Sequence, residues 1–229
     1  KAIHEQLGVA TLGELEYACN ENRLASLAGF GAKSQEKVLA GIAHLRKSAG
    51  RFLFPVARET ADRLVALLTG LPSVSQLDVA GSLRRRKEVV QDVDIVCATT
   101  DAAAVMQAFV TSPGVQEVIG QGPSKASIRV DSGLQADLRA VTPEEYPFAL
   151  AYFTGSKEHN TAMRGRAKKL DLKLNEYGLF RADESRVPCA SEEEIFRALG
   201  LAYIAPELRE DAGELEAAEA GNLPELLEP

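Results

Sequence analysis

Asp92 and Asp94 stand one residue apart in Asp92-Val93-Asp94-Ile95-Val96, a run whose apolar members mark an at least half-buried strand. Successive side chains of a strand alternate faces, so the two carboxylates project to one side with Cα atoms about 6.6 Å apart. At an effective dielectric near 20, like charges at that separation repel by roughly 2.5 kcal/mol. A fold tolerates this when a cation or basic partner sits between them. Hard oxygen donors with no His or Cys cluster nearby favour Mg²⁺ or Mn²⁺ over zinc.

The residues upstream of the pair suggest what the metal would hold. Gly81 permits close backbone approach, Ser82 offers a hydroxyl and an amide, and Arg85, within Arg84-Arg85-Arg86-Lys87, can grip phosphate through two donors. Metal-holding acids beside a triphosphate cradle are the equipment of nucleotidyl transfer. The blander reading makes the basic run a solvated turn and the two aspartates strand-end acids. Asp137, in an apparent hairpin pairing 126–130 with 134–141 across Asp131-Ser132-Gly133, is a third candidate. If its strand neighbours that of Asp92 and Asp94, the three acids could bind two metals about 3.5 to 4 Å apart, as in-line phosphoryl transfer requires. Alone, Asp137 reads as a structural acid paired with Arg139.

These groups need a scaffold, and 229 residues with 45% hydrophobic and 26% charged content can bury a substantial core. The sequence has no apolar run of about 18 residues and no charged segment leading into an apolar one, so membrane spanning and secretion are disfavoured and a cytoplasmic protein is expected. Cys19, Cys97 and Cys189 form neither a disulfide framework nor a zinc signature. No Ser-His-Asp or Cys-His arrangement suggests a covalent nucleophile, and His4, His44 and His159 are scattered. The net charge of −7 looks wrong for a nucleic-acid binder, but it is unevenly spread. Lys157 to Lys173 holds six basic residues against two acidic ones, whereas Glu207 to Glu228 holds eight acids against one arginine. A basic working surface with an acidic appendage fits that distribution.

Residues 1–50 carry leucines, valines and isoleucines at helical spacing around Leu27-Ala28-Gly29-Phe30-Gly31-Ala32-Lys33-Ser34. This is a helix-hairpin-helix pattern. Gly29 and Gly31 make the tight turn, amides at the next helix start can receive a phosphate, and Lys33 adds charge, so DNA backbone is the expected ligand. An ordinary αα-corner is the alternative. The chain opens at Lys1-Ala2-Ile3-His4 already helix-like and uncapped, as a fragment would. A helix is expected from Pro55 to Leu68, strands at 75–80, 92–98 and 115–119, and helices at 101–110, 146–153, 159–170 and 192–199. Leu174 to Phe180 reads as a strand, and residues from Pro206 onward as an extended edge or acidic linker.

Five ordered motifs, Gly81-Ser82-Leu83-Arg84-Arg85, Asp92-x-Asp94, Asp137-Leu138-Arg139, Tyr152-Phe153-Thr154-Gly155-Ser156 and Asn175-Glu176-Tyr177-Gly178-Leu179, resemble DNA polymerase family X, above all its bacterial members, relatives of the polymerase β core. The likeness runs over nearly the whole chain. It implies an α+β fold: a helix-hairpin-helix DNA-binding subdomain at 1–50, a nucleotidyltransferase palm with a mixed β-sheet at 51–145, and a small α/β nascent-base-pair subdomain at 146–205, followed by an acidic tail at 206–229. It further implies a template-directed, gap-filling repair polymerase using dNTP, primer-template or gapped DNA and two Mg²⁺ or Mn²⁺ ions in the bacterial cytoplasm at the nucleoid, and a monomer is expected.

By the same resemblance, Asp92 and Asp94 ligate both metals, while Asp137 ligates the catalytic one near the primer 3′-hydroxyl. Gly81, Ser82 and Arg85 hold the triphosphate. Tyr152, Phe153, Thr154 and Gly155 form the sugar-contacting segment, Asn160 contacts the nucleotide, and Arg164 approaches the template side. Arg86 and Gln91 replace common glycines, which is expected to loosen the turn before the metal strand. Lys157 replaces an acid of the polymerase β branch. No 5′-deoxyribose-phosphate lyase-like segment is recognised, and bacterial members often continue past a tail like Leu223-Pro224-Glu225-Leu226 into a phosphoesterase domain. Two other readings stay open: a nucleotidyltransferase acting on RNA ends or a small molecule, and a non-catalytic DNA-binding scaffold.

Overall fold

A computed structural model of the chain describes residues 2–27, 29–48 and 50–226, in two compact units, Lys1–Gly50 and Arg51–Pro229. No described helix is long and apolar enough to cross a membrane.

The first unit consists of α1 (Ala2–Leu7), α2 (Leu12–Asn20) and α3 (Ala32–Ser48). Thr11 starts α2 with a reciprocal cap, its hydroxyl accepting from the Glu14 amide while the Glu14 carboxylate accepts from the Thr11 amide. Ala18, Cys19, Leu24 and Ile42 are buried, and Gln35 ties α3 to the preceding turn by donating to Asn22 and accepting from the Ala25 amide. Gly29 has φ +86° at the hairpin turn, and the Gly31 carbonyl accepts from the Ser34 and Gln35 amides in the first turn of α3. Ala28 of the same motif lies outside the described residues.

The second unit begins with β1 (Phe52–Leu53) and α4 (Phe54–Thr69), which holds Pro55 in its first turn, where a missing amide costs nothing. Then come β2 (Val74–Val79), the one-turn helix α5 (Gly81–Arg84), β3 (Val89–Val90), β4 (Asp92–Thr99), α6 (Ala102–Val110), β5 (Val115–Gln121), β6 (Lys125–Val130) and β7 (Gln135–Val141). Among the described residues these strands form a five-stranded sheet of order β2-β4-β7-β6-β5, with β4 and β7 parallel and the other pairs antiparallel. The sheet is mixed, as the family resemblance implies. β1 and β3 pair separately, an interaction too short to leave a periodic signal in the sequence.

Alternation along β4 sorts its side chains. Val93, Ile95 and Cys97 pack into one core with Ala57, Ala61, Leu64 and Leu68 of α4 and Val105, Met106 and Phe109 of α6. Each large apolar side chain so buried contributes about 1.5–3 kcal/mol. Val96 and Ala98 turn the other way, into a smaller core with Tyr146, Ala149 and Leu150 of α7 (Tyr146–Thr154). Asp92 and Asp94 share that second face, at the strand's N-terminal end.

Beyond α7 lie α8 (Lys157–Lys169), β8 (Lys173–Asn175), β9 (Gly178–Phe180), β10 (Arg186–Val187) and α9 (Glu192–Ala198). The expected strand at Leu174 to Phe180 is instead a hairpin. The Asn175 side chain accepts from the amides of Tyr177 and Gly178 and closes a turn between β8 and β9. Phe148, Met163, Leu179, Ile195, Phe196 and Ile204 centre a separate core here.

The expected acidic linker from Pro206 onward is corrected by the structure. Pro206–Leu208 forms a 3₁₀ turn, Arg209 is fully buried, and α10 (Glu214–Ala220) buries Ala218 in the same core as Phe196. Leu208, Leu215, Ala218 and Leu223 supply an apolar stripe that acidic composition conceals. The acids are matched locally: Glu214 accepts from the Asp211 and Ala212 amides, Glu219 pairs with Arg166, and Glu207 with Arg86.

Candidate active site

The parallel register of β4 and β7 pairs Asp94 with Asp137 and Asp92 with Gln135. Paired residues of parallel strands face the same side, so all three aspartates lie on one face of the sheet. Burial, followed by repulsion from Asp92 and Asp137, pushes the Asp94 pKa up to about 7. Burial and then Asp137 also raise Asp92. Asp137 accepts from the Gln135 side chain at 3.0 Å and pairs with Lys125 at 3.3 Å. As they stand, no three acids, histidines or cysteines among the described residues are gathered tightly enough to grip an ion. The donor set nevertheless suits a divalent cation: three hard carboxylates, two of them held against their preference for charge, with Lys125 and Arg139 as partial compensation.

Gly81 is shaped by this cluster. It opens α5 at φ +64°, and a Cβ there would come within 2.1 Å of Asp94 Oδ2, so only glycine fits. The Ala80 amide donates to the Asp94 carbonyl at 2.7 Å, fixing the turn to β4. Arg86, where the resemblance implies a glycine, takes φ +55°. A left-handed conformation at a non-glycine residue costs about 1–2 kcal/mol.

A cavity of about 520 Å³ is lined by Gly81, Ser82, Arg85, Asp92, Asp94, Tyr152, Phe153, Gly155, Lys157, Asn160 and Arg164, with Ser156, Glu158 and Glu210. Asp137, the strand partner of Asp94, is not among the lining residues. Asn160 donates to the Tyr152 carbonyl at 2.7 Å and so fixes the end of α7, while Arg164 Nε donates to the Asn160 carbonyl. Phe153 sits under Arg139, whose guanidinium carbon is 4.8 Å from the ring centroid, and meets Tyr152 edge to face. The Gly155–Ser156 peptide is cis.

Thr154 departs from expectation. It is fully buried and does not line the cavity. Its hydroxyl accepts from Arg84 at 2.7 Å, and its carbonyl accepts from Arg85 Nη1. Thr154 therefore supports two arginines and does not face the cavity. Gly29 and Gly31 belong to the first unit and are positioned as described above, and Lys33 is exposed in the first turn of α3.

Sequence reasoning missed the arginine clasp. Arg84 makes a two-pronged pair with Glu192, at 2.9 and 2.6 Å, and Arg209 donates to the same carboxylate at 2.7 Å. Arg209 is sandwiched near Phe196 and Tyr203. Burial alone would raise the Glu192 pKa, but the two guanidinium groups hold it below the usual carboxylate range. Lys125 and Gln135 were equally unmarked, although period-two alternation on β6 and β7 puts both beside Asp137.

Residues 149–210 match the family model described as DNA polymerase beta thumb. The chain is 35% identical over 217 residues to the DNA polymerase/3′-5′ exonuclease PolX of Bacillus subtilis, covering 93% of this chain and 38% of that relative. It is 30% identical over 137 residues to a Repair DNA polymerase X of African swine fever virus, covering 56% of this chain and 78% of the viral protein. A crystal structure of Leishmania infantum polymerase beta in a ternary gap complex superposes with a TM-score of 0.64 at 21% identity, covering 91% of this chain and 84% of the other.

Proposed function

The chain belongs to DNA polymerase family X, and from that premise we propose that it adds template-selected deoxynucleoside monophosphates to a primer 3′-hydroxyl, filling short gaps during DNA repair. The substrates are a dNTP and gapped or primer-template DNA, met in the cytoplasm at the nucleoid by a monomer. The observation that supports this most directly is the register of β4 against β7, with Asp92, Asp94 and Asp137 on one face beside the Gly81 turn.

In this reading Asp92 and Asp94 hold two Mg²⁺ or Mn²⁺ ions, with Asp137 completing the set on the primer side. Divalent ions held there neutralise triphosphate charge and lower the pKa of the attacking hydroxyl. The chain itself does the positioning. Arg85 and the Ser82 hydroxyl and amide bind the β- and γ-phosphates, and Tyr152, Phe153 and Gly155 bear on the sugar. Asn160, which fixes the Tyr152 carbonyl, contacts the nucleotide, and Arg164 approaches the templating base. As the bond from primer O3′ to the α-phosphorus forms, the bond to the bridging oxygen breaks, pyrophosphate leaves, and the hydroxyl proton passes to an Asp137 carboxylate oxygen. Catalysis of this kind rests on orientation and charge, without a covalent nucleophile. In the first unit, the amides that open α3 and the Lys33 ammonium grip DNA backbone at the Gly29–Gly31 turn, without reading sequence.

Primer extension on templated and untemplated ends tests the reading. Each dNTP supplied alone is expected to be incorporated only opposite its complement, with binding that weakens steeply as salt rises. Transfer indifferent to a template, or confined to RNA ends, would point to a different nucleotidyltransferase.

A further inference from the structure

We propose that Glu210 is a positioning residue for the phosphate-binding arginine of this cavity, an inference that rests on reading the cavity as a dNTP site. Arg85 is mostly buried, and the protein engages it at two nitrogens. Nε donates to Glu210 Oε1 at 2.8 Å and Nη1 donates to the Thr154 carbonyl. Among the described residues Nη2 has no protein acceptor, so the one amino group left over is free for a phosphate oxygen. A guanidinium fixed at two of its three nitrogens has lost its rotamer freedom before the ligand arrives, and that is what pre-organisation requires.

Glu210 suits this task in charge and in placement. Burial would raise its pKa, but hydrogen bonds from Lys87 and Arg85 hold it lowered, so it is ionised at neutral pH. Its oxygen Oε1 is shared with Lys87 Nζ at 2.9 Å, which steadies the carboxylate from the other side. The backbone beside it is anchored as well, because the carbonyl of Arg209 accepts from the Ser156 amide at 3.0 Å. Two consecutive residues of the C-terminal segment thus secure two consecutive arginines of α5 and the turn after it: Arg209 reaches Arg84 through Glu192, and Glu210 holds Arg85 directly. Segments more than a hundred residues apart in sequence meet at the place where a triphosphate would be gripped.

Equilibrium titration of the chain with dATP and Mg²⁺, without DNA, tests the proposal in a double-mutant cycle. Glu210→Ala is expected to weaken dATP binding about tenfold, and the isosteric Glu210→Gln by less, since its amide oxygen can still accept. In an Arg85→Lys background, Glu210→Ala is expected to change affinity by under about twofold, because the effect travels through the guanidinium. In primer extension the same variant raises KM for the nucleotide and leaves kcat within about twofold. Tighter dATP binding by Glu210→Gln would make Glu210 a competitor for the phosphate site and overturn the proposal. So would an undiminished effect in the Arg85→Lys background. Failure of the unaltered chain to bind dATP would remove the nucleotide site and this inference together. Binding of dATP without templated extension would remove only the polymerase reading and leave the cycle decisive.

Discussion

Asp92 and Asp94 on the sheet, and Glu192, Glu210 and Glu214 in the C-terminal part of the same unit, are partly or wholly buried acids under opposite electrostatics. The sheet aspartates face each other and Asp137, and their pKa values are raised. The glutamates meet guanidinium, ammonium, imidazole or amide donors, and theirs are lowered in spite of burial. Burial acts the same way on both sets, so the partners decide the sign. The clasp acids hold the second unit together. The sheet acids cost stability in the absence of a cation, and raised carboxylates beside a cavity mark a candidate site for chemistry.

The comparison breaks most visibly in activity. Asp94→Asn, which keeps the shape and removes the charge, is expected to lower the extension rate by about 10³-fold or more while gapped-DNA affinity changes little. Single-turnover extension together with a binding titration checks it, and a rate near that of the unaltered chain would sever the sheet acids from catalysis. Next in size is Glu192→Gln. This substitution leaves the buried Arg209 and the partly buried Arg84 short of their counter-charge, and it is expected to destabilise the unit by about 3–5 kcal/mol in denaturant unfolding. A loss under about 1 kcal/mol would mean the clasp is ornamental.

Acid separates the two sets by direction. His159 Nδ1 donates to the Glu214 carboxylate at 2.7 Å, among Arg209 and Asp211. Burial lowers the His159 pKa, so below about pH 6.5 the unfolded chain takes up a proton that the folded histidine resists. Glu214, lowered as well, keeps its own contribution throughout this range and loses it only in stronger acid, below its unfolded pKa, so His159 alone sets the effect near neutrality. Hydrogen exchange, corrected for its intrinsic pH dependence, is therefore expected to speed up in α10 between pH 7.5 and 5.5. Unchanged protection there would show that the pair does not tether the helix. The smallest effect belongs to the exposed Arg58–Asp62 pair on α4, 2.9 Å apart, where Arg58→Ala is expected to cost at most about 0.5 kcal/mol.

Much of the sheet side was legible in the sequence, because it is written in local periodicity. Val93, Ile95 and Cys97 alternate with Asp92, Asp94 and Val96, and the hairpin at Asp131-Ser132-Gly133 leads directly to Asp137. The clasp was not legible. Glu192 lies in a run of three glutamates and Glu210 in an acidic stretch, where nothing local distinguishes a buried partner of Arg84 or Arg85 from a solvated charge. The tail was misjudged for the same reason, since composition counts the acids and overlooks the spacing of Leu215 and Ala218. Thr154 was read by its neighbours in the Tyr152-Phe153-Thr154-Gly155 segment. Its own role, accepting from two arginines, exists only once the chain has folded.

The sharpest test of the contrast is thermal unfolding of the metal-free Asp94→Asn chain at pH 8. A carboxyl whose folded pKa is about 7, against 3.8 as its ordinary value, penalises folding as pH rises between those values, and the penalty is complete at pH 8. Removing it is expected to make the inactive variant more stable than the unaltered chain by on the order of 2 kcal/mol, with the gain shrinking toward pH 5 and Mg²⁺ stabilising only the unaltered chain. A variant less stable than the unaltered chain at pH 8, or equally stabilised by Mg²⁺, would contradict the claim that these carboxylates are held together for a cation.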